Sequence, residues 1–229
     1  MPLSGLNSFK FIAKDLLIDN NSSINMDIMN FLSIDCSTDI GSLFVKVKNK
    51  TFSKILQSDK FNNDLLMKQI LEFFKDNHLN FDDISDILVN QGPGNFSGLR
   101  GSIATAKGIS LSKNLKLLGY NTFLWSCAKF SKKNNFICSF IKFREKYFIK
   151  KFDNNLNSSS KVEEITREEI IEKYNNKFKV IPKSLAKYFD KKILKLNNLA
   201  IVDLNHNELE FLQIKGLLNE DLIKPLYLS

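Results

Sequence analysis

Nine residues, Gly92-Pro93-Gly94-Asn95-Phe96-Ser97-Gly98-Leu99-Arg100, carry the strongest chemical signal in this chain. Gly92 and Gly94 permit backbone shapes closed to other residues, and Pro93 stiffens the turn between them. Asn95 or Ser97 can cap a following helix, and bare glycine amides beside a helix N-terminus form a natural anion site. The candidate anion- or nucleotide-binding set is therefore Asp35, Gly92, Gly94, Ser97 and Gly98. A tight turn with no ligand is the competing reading. Two phosphate-binding patterns do not fit. Lys107-Gly108 has the wrong order for a P-loop, and Ser97 stands where the dinucleotide motif needs glycine. Ser97 is also the sole candidate for a peptidase nucleophile, but it lies in G-N-F-S-G rather than G-x-S-x-G, and no His is placed to activate it. His78 and His206 are far apart in sequence, each expected at the surface or in packing, and no converging metal ligands assemble around them. No catalytic residue and no metal site are therefore expected.

The elements that must position this turn follow from hydrophobic periodicity. Phe31–Ser37 is a short apolar run, and Ser42–Asn49 alternates with the period of a half-buried strand. Thr51–Leu56 is close enough to pair with it as a hairpin. Leu66, Ile70, Phe73 and Phe74 predict an amphipathic helix from about Asn62 to Asn77. Asp83–Gln91 ends in a strand, the glycine turn opens a second helix, and Leu115–Tyr120 is another strand before a short helix at Thr122. Three strands joined by short turns form a meander, and strands separated by helices pair in parallel through right-handed crossovers. This is the order of a ribonuclease-H-like domain, the repeated unit of actin- and Hsp70-like proteins. The second half reads as a reduced copy: a hairpin across Arg144-Glu145-Lys146, a capping box of Thr166 with Glu169, a strand at Lys177–Ile181, and a last helix ending at Gly216. We thus expect an α/β protein of two ribonuclease-H-like lobes with mixed sheets. The first spans residues 29–121 and the reduced second 122–229. Residues 1–28 are an extension outside this pattern, either poorly packed or preceding a true start at Met29.

Composition narrows the function. The chain has 229 residues and a net charge of +8. The charge is almost all Lys; the arginines are Arg100, Arg144 and Arg167. Abundant Lys, Asn, Ile and Phe fit an AT-rich coding bias, the lysines are scattered in sequence, and Arg would be favoured for bidentate phosphate contacts. Nucleic acid is therefore expected to be reached through a complex. No apolar run approaches the length of a membrane helix. Cys36, Cys127 and Cys138, an odd number without a C-x-x-C pair, read as buried thiols in a reducing cytoplasm.

The stretch GPGNFSGLRGSIATAKGIS resembles the signature of the bacterial tRNA threonylcarbamoyladenosine biosynthesis TsaB (YeaZ-like) family of the actin-like ATPase-fold superfamily. FLSIDCST (Phe31–Thr38) is similar to that family's first strand and PLYLS to its closing motif. The resemblance implies a non-catalytic scaffold subunit of the complex that transfers a threonylcarbamoyl group to the adenosine next to the tRNA anticodon. Its implied partners are the paralogue TsaD, in a heterodimer, and the ATPase TsaE, with tRNA met through the complex and a homodimer when alone. No tightly bound cofactor is implied; an adenine nucleotide at the subunit interface is left open. The small-residue helix and its neighbour are the expected contact surface, through Leu99, Arg100, Ile103, Ala104, Lys107, Leu66 and Ile70. Three departures touch this pattern. The family's His-Ser pair is replaced within Lys60–Leu66, its second-lobe Asp by Lys142, and its final Arg by Ser229. The rival reading is a stand-alone actin-like-fold ATPase or phosphotransferase with Asp35 as its first acidic residue.

Overall fold

A computed structural model describes residues 29–38, 40–56 and 63–228. The expected extension at 1–28, most of the Lys60–Leu66 departure's leading residues and Ser229 lie outside them.

The first lobe is one five-stranded mixed sheet built from β1 (Phe31–Asp35), β2 (Gly41–Val47), β3 (Lys50–Leu56), β4 (Asp86–Asn90) and β5 (Lys116–Tyr120). Its spatial order is β3-β2-β1-β4-β5. β1–β2 and β2–β3 pair antiparallel, whereas β1–β4 and β4–β5 pair parallel. Parallel pairing needs a crossover. Helix α1 (Asn63–Asp76) supplies the one between β3 and β4, and α2 (Phe96–Lys113) the one between β4 and β5.

The second sheet repeats the plan. Its strands are β6 (Phe136–Phe143), β7 (Lys146–Asp153), β8 (Glu163–Ile165), β9 (Phe178–Pro182) and β10 (Leu199–Val202), in the order β10-β9-β6-β7-β8. Read from β8, this is the first lobe's order with the same strand directions. The reduction therefore lies in the helices. Where the first lobe has helices of 14 and 18 residues, the second has α4 (Arg167–Lys173) and the paired single turns α5 (Lys183–Ala186) and α6 (Lys191–Leu194). Thr166 and Glu169 form the expected capping box on α4. Helix α3 (Thr122–Cys127) joins the lobes and α7 (Asn207–Ile214) follows β10.

Strand alternation assigns each sheet two buried faces. Leu32 and Ile34 of β1, Leu43 and Val45 of β2, and Ile87 and Val89 of β4 pack against α1 and α2. The intervening Phe31, Phe44 and Leu88 point the other way. There they join Trp125, Ile137, Phe148, Phe152, Val180 and Leu209 in one core that runs between the lobes. A third cluster, including Phe140, Ile149, Ile181 and Ile193, lies under the short helices of the second lobe. The molecule is layered helix, sheet, shared core, sheet, helix.

Candidate functional site

The carboxyl ends of β1 and β4 meet the start of α3 at one buried amide. Asn90, the last residue of β4, places Nδ2 3.1 Å from Asp35 Oδ1, 3.2 Å from Ser37 Oγ and 3.1 Å from Thr122 Oγ1. Its Oδ1 accepts from the Gly92 amide at 2.8 Å. Asp35 Oδ1 also accepts from the Ser37 amide at 2.9 Å. Burial raises the Asp35 carboxyl above its usual range, and the bonds from Ser37 and Asn90 oppose that. The group is thus an internally satisfied carboxyl at the end of a central strand.

The glycine turn is shaped by this neighbourhood. Gly92 has φ +100°, a left-handed value that favours glycine. A Cβ on Gly94 would overlap the Ser37 carbonyl oxygen, and one on Gly98 the Cys36 carbonyl oxygen. Asn95 donates its amide to Ser37 O at 2.8 Å, and its own side chain caps α2 by accepting from the Ser97 and Gly98 amides at 3.1 and 3.4 Å. Several members of the expected anion set are already engaged within the chain. The amides of Gly92, Ser97 and Gly98 already have acceptors within the chain. Gly94 and Gly98 are glycines because the loop after β1 presses on them. Asp35 and the turn do meet, but as packing partners. Ser97 is exposed, and no histidine serves it: His206 is engaged elsewhere. Among the described residues no three His, Cys, Asp or Glu side chains cluster as metal ligands.

His206, just before α7, joins the lobes. Its Nδ1 lies 3.0 Å from Ser33 Oγ on β1 and its Nε2 2.9 Å from Ser42 Oγ on β2. Ser33 Oγ continues to Tyr120 Oη at 3.0 Å. The ring stacks on Phe44 and packs against Trp125, and burial pushes the imidazole down to about 3. Lys46 on β2 pairs with Glu210 on α7 alongside. Sequence reading missed this set; a lone histidine carries no periodic signal that would mark it.

The tail was also missed. Asn219 exchanges two 2.8 Å backbone bonds with Gly119, on the open edge of β5. Gln91 donates Nε2 to the carbonyls of Leu222 (3.3 Å) and Lys224 (2.9 Å), and its own carbonyl accepts from the Leu226 amide at 2.6 Å. Ile223 sits in the first-lobe core. Tyr227 stacks on Phe96 of α2 at 5.2 Å, and the Arg100 guanidinium covers the Phe96 ring at 4.8 Å. The closing motif and the glycine turn are therefore one assembly.

The expected contact stripe needs correction. Leu66, Ile70, Leu99 and Ile103 are buried in this chain's own core, because these positions of α1 and α2 face the sheet. Arg100, Ala104 and Lys107 are exposed. With Phe96 (53% exposed) and Leu111 (85%) they follow one another at three- or four-residue spacing on the outer face of α2. Met67 and Leu71 of α1 are exposed beside them. Between the helices lies a hollow of about 290 Å³ lined by Met67, Thr105, Gly108, Ile109 and Ser112. Gly108 has open space where its Cβ would be. This face combines large exposed apolar residues with small ones.

Three comparisons bear on this arrangement. Residues 58–138 match the family model described as TsaD: tRNA N6-adenosine threonylcarbamoyltransferase. The tRNA threonylcarbamoyladenosine biosynthesis protein TsaB of Buchnera aphidicola subsp. Baizongia pistaciae (strain Bp) is 36% identical over 90 residues. That match spans 38% of this chain and only 40% of the relative's length. YeaZ from Pseudomonas aeruginosa superimposes with a TM-score of 0.65 at 14% identity, over 88% of this chain and 100% of that one. A structure described as having similarity to peptidase YEAZ from Pseudomonas aeruginosa gives 0.66, with the same identity and coverage. The structural likeness is one of fold.

Proposed function

We propose that this chain, TsaB/YeaZ-like in sequence and fold, acts in threonylcarbamoyladenosine biosynthesis as a non-catalytic scaffold. On this reading it pairs through the outer face of α1 and α2 with the paralogue TsaD, which transfers the threonylcarbamoyl group to the adenosine next to the tRNA anticodon. The ATPase TsaE and tRNA join that complex, the site of action is the cytoplasm, and the chain pairs with itself when TsaD is absent.

The observation that carries the reading is the filled space between the lobes. An actin-like ATPase brings acidic residues of one lobe and an adenosine loop of the other to a nucleotide held between them. Here Phe31, Phe44, Tyr120, Trp125 and Phe148 belong to one buried core between the lobes, and Asp35 Oδ1 already accepts from Ser37 and Asn90. The α1–α2 face, by contrast, presents exposed apolar and basic side chains that a partner could cover. Arg100 and Lys107 would find carboxylates across it, and Phe96, Met67 and Leu111 would supply apolar contact. An adenine nucleotide, if used, belongs at that junction.

Size exclusion with light scattering of this protein mixed with TsaD of the same organism tests the proposal. A one-to-one complex, weakened at least tenfold by Ala104→Trp with the monomer still folded, is expected. Separate elution with and without ATP would overturn it. Mg²⁺-dependent ATP turnover by the isolated chain, lost in Asp35→Ala, would then establish the stand-alone enzyme in its place.

A further inference from the structure

Some surface lysines face acidic partners: Lys116 meets Glu220, Lys146 meets Glu164, Lys151 meets Glu163 and Lys173 meets Glu169. Others have none within 4.0 Å among the described residues, and several of these gather at one corner of the second lobe. Lys183, Lys187, Lys191, Lys192 and Lys195, on and around α5 and α6, are all exposed. Of these only Lys183 has an acidic partner within 4.0 Å among the described residues, the exposed Asp203. Asp190 is the single acidic residue in the run. Its carboxylate is already taken, Oδ2 lying 3.1 Å from Arg167 Nε and Oδ1 accepting from the Lys192 amide at 2.7 Å. The positive charge of four lysines within nine residues is therefore uncompensated locally. Tyr188 stands among them, 46% exposed, with Lys187 Nζ 4.9 Å from its ring centroid. Phe189 and Ile193 are buried beneath and fix the corner to the core.

We infer that this corner is an RNA-contact surface, on which Lys187, Lys191, Lys192 and Lys195 neutralise phosphates and Tyr188 stacks on an unpaired base; its place in tRNA modification rests on the proposed function. Charge complementarity selects the polyanion. Lysines act on phosphate as point charges and carry no base readout, so the contact is sequence-independent. An exposed ring within a basic patch suits unstacked bases. A bilayer surface is disfavoured: the apolar residues here, Phe189 and Ile193, point inward, and single-turn helices leave no apolar face to enter lipid.

The test is fluorescence anisotropy of the full chain with end-labelled bulk tRNA between 50 and 200 mM KCl, roughly the range over which phosphate contacts are lost. The variant Lys187→Glu/Lys191→Glu/Lys192→Glu/Lys195→Glu is compared with a charge-matched control, Lys50→Glu/Lys133→Glu/Lys215→Glu/Lys224→Glu. We expect the corner variant to bind at least tenfold more weakly and to flatten the log K against log salt slope by about 3. The control should lose less than threefold. Tyr188→Ala should weaken binding with the slope unchanged. Equal losses in both quadruple variants would reduce the effect to net charge and overturn the inference. So would an absence of tRNA binding by the parent chain at 50 mM KCl, or phosphatidylserine vesicles displacing the tRNA. TsaD co-elution of the corner variant separates the two readings: retained assembly with no RNA effect removes this surface and leaves the scaffold standing.

Discussion

His206, from the second half of the chain, sets its Nδ1 3.0 Å from the Ser33 hydroxyl on the central strand of the first lobe. Its other nitrogen reaches Ser42, so one imidazole is bonded to two strands at once. The lobes are thereby joined by hydrogen bonds as well as by the shared core.

The His206 imidazole is held down to about 3 by burial, so the unfolded chain takes up a proton near pH 6.5 that the folded chain refuses until about pH 3. Stability from this group is therefore full above pH 6.5 and falls as pH drops toward 3. Glu208 acts in the opposite sense. Burial raises its carboxyl to about 7, so its contribution falls as pH rises from about 4.5 to 7. The two oppose each other between pH 4.5 and 6.5, and below that window Glu208 no longer offsets His206. Urea midpoints against pH should be nearly level across that window and drop below it. Glu208→Gln should extend the decline up to pH 6.5; an unchanged profile would refute the opposition.

Asn90→Ala removes the amide shared by Asp35, Ser37 and Thr122 and leaves buried polar groups without a partner. A loss of about 3 kcal/mol is expected, read by urea denaturation. Asn90→Asp should be as damaging, since it sets a second carboxyl beside Asp35.

Glycine positions should divide by their surroundings. Gly94→Ala drives a methyl into the Ser37 carbonyl and should lower the melting temperature by about 4–12 °C, as about 2–3 kcal/mol does in a chain of this size. Gly108→Ala meets nothing within 4 Å and should gain about 0.5–1 kcal/mol in helix propensity. If α2 is the contact face, the larger Gly108→Leu should keep the monomer folded yet weaken assembly with TsaD.

Ile223→Ala tests the tail. Ile223 is 5% exposed and packs in the first-lobe core. Its truncation should cost about 2–4 kcal/mol. Amide exchange should quicken at β5 and the glycine turn, where Gly119 and Gln91 hold the tail.

Much of the fold was legible because its signals are local. Short apolar runs and, at β2, period-two alternation located β1 to β5, and the Leu66–Ile70–Phe73 spacing located α1 to within a residue at each end. Thr166 with Glu169 marked the start of α4. What stayed hidden depends on distant contacts. β8 and β10, of three and four residues, are too short to show a period. Of the expected contact residues Leu99, Arg100, Ile103, Ala104, Lys107, Leu66 and Ile70, the structure buries Leu99, Ile103, Leu66 and Ile70 against the sheet and leaves Arg100, Ala104 and Lys107 exposed, because a helix built of small residues has a weak apolar face and its sheet side is set by packing. The glycines of the turn signalled a close approach, but only the fold reveals that the approaching atoms are the carbonyls of Cys36 and Ser37. Lys183 to Lys195 looked scattered because a list of lysines does not say which acidic residues are already engaged.

The pairing of Asn219 with Gly119 has a consequence for biosynthesis. The free edge of β5 stays open until residues 100 positions further on have been made, roughly 5–20 s of translation at 5–20 residues per second. An uncovered edge strand is a template for pairing with another chain. The nascent first lobe therefore carries an unpaired edge until the tail arrives, and slowing synthesis between Gly119 and Asn219 should raise aggregation without altering a single contact in the finished protein.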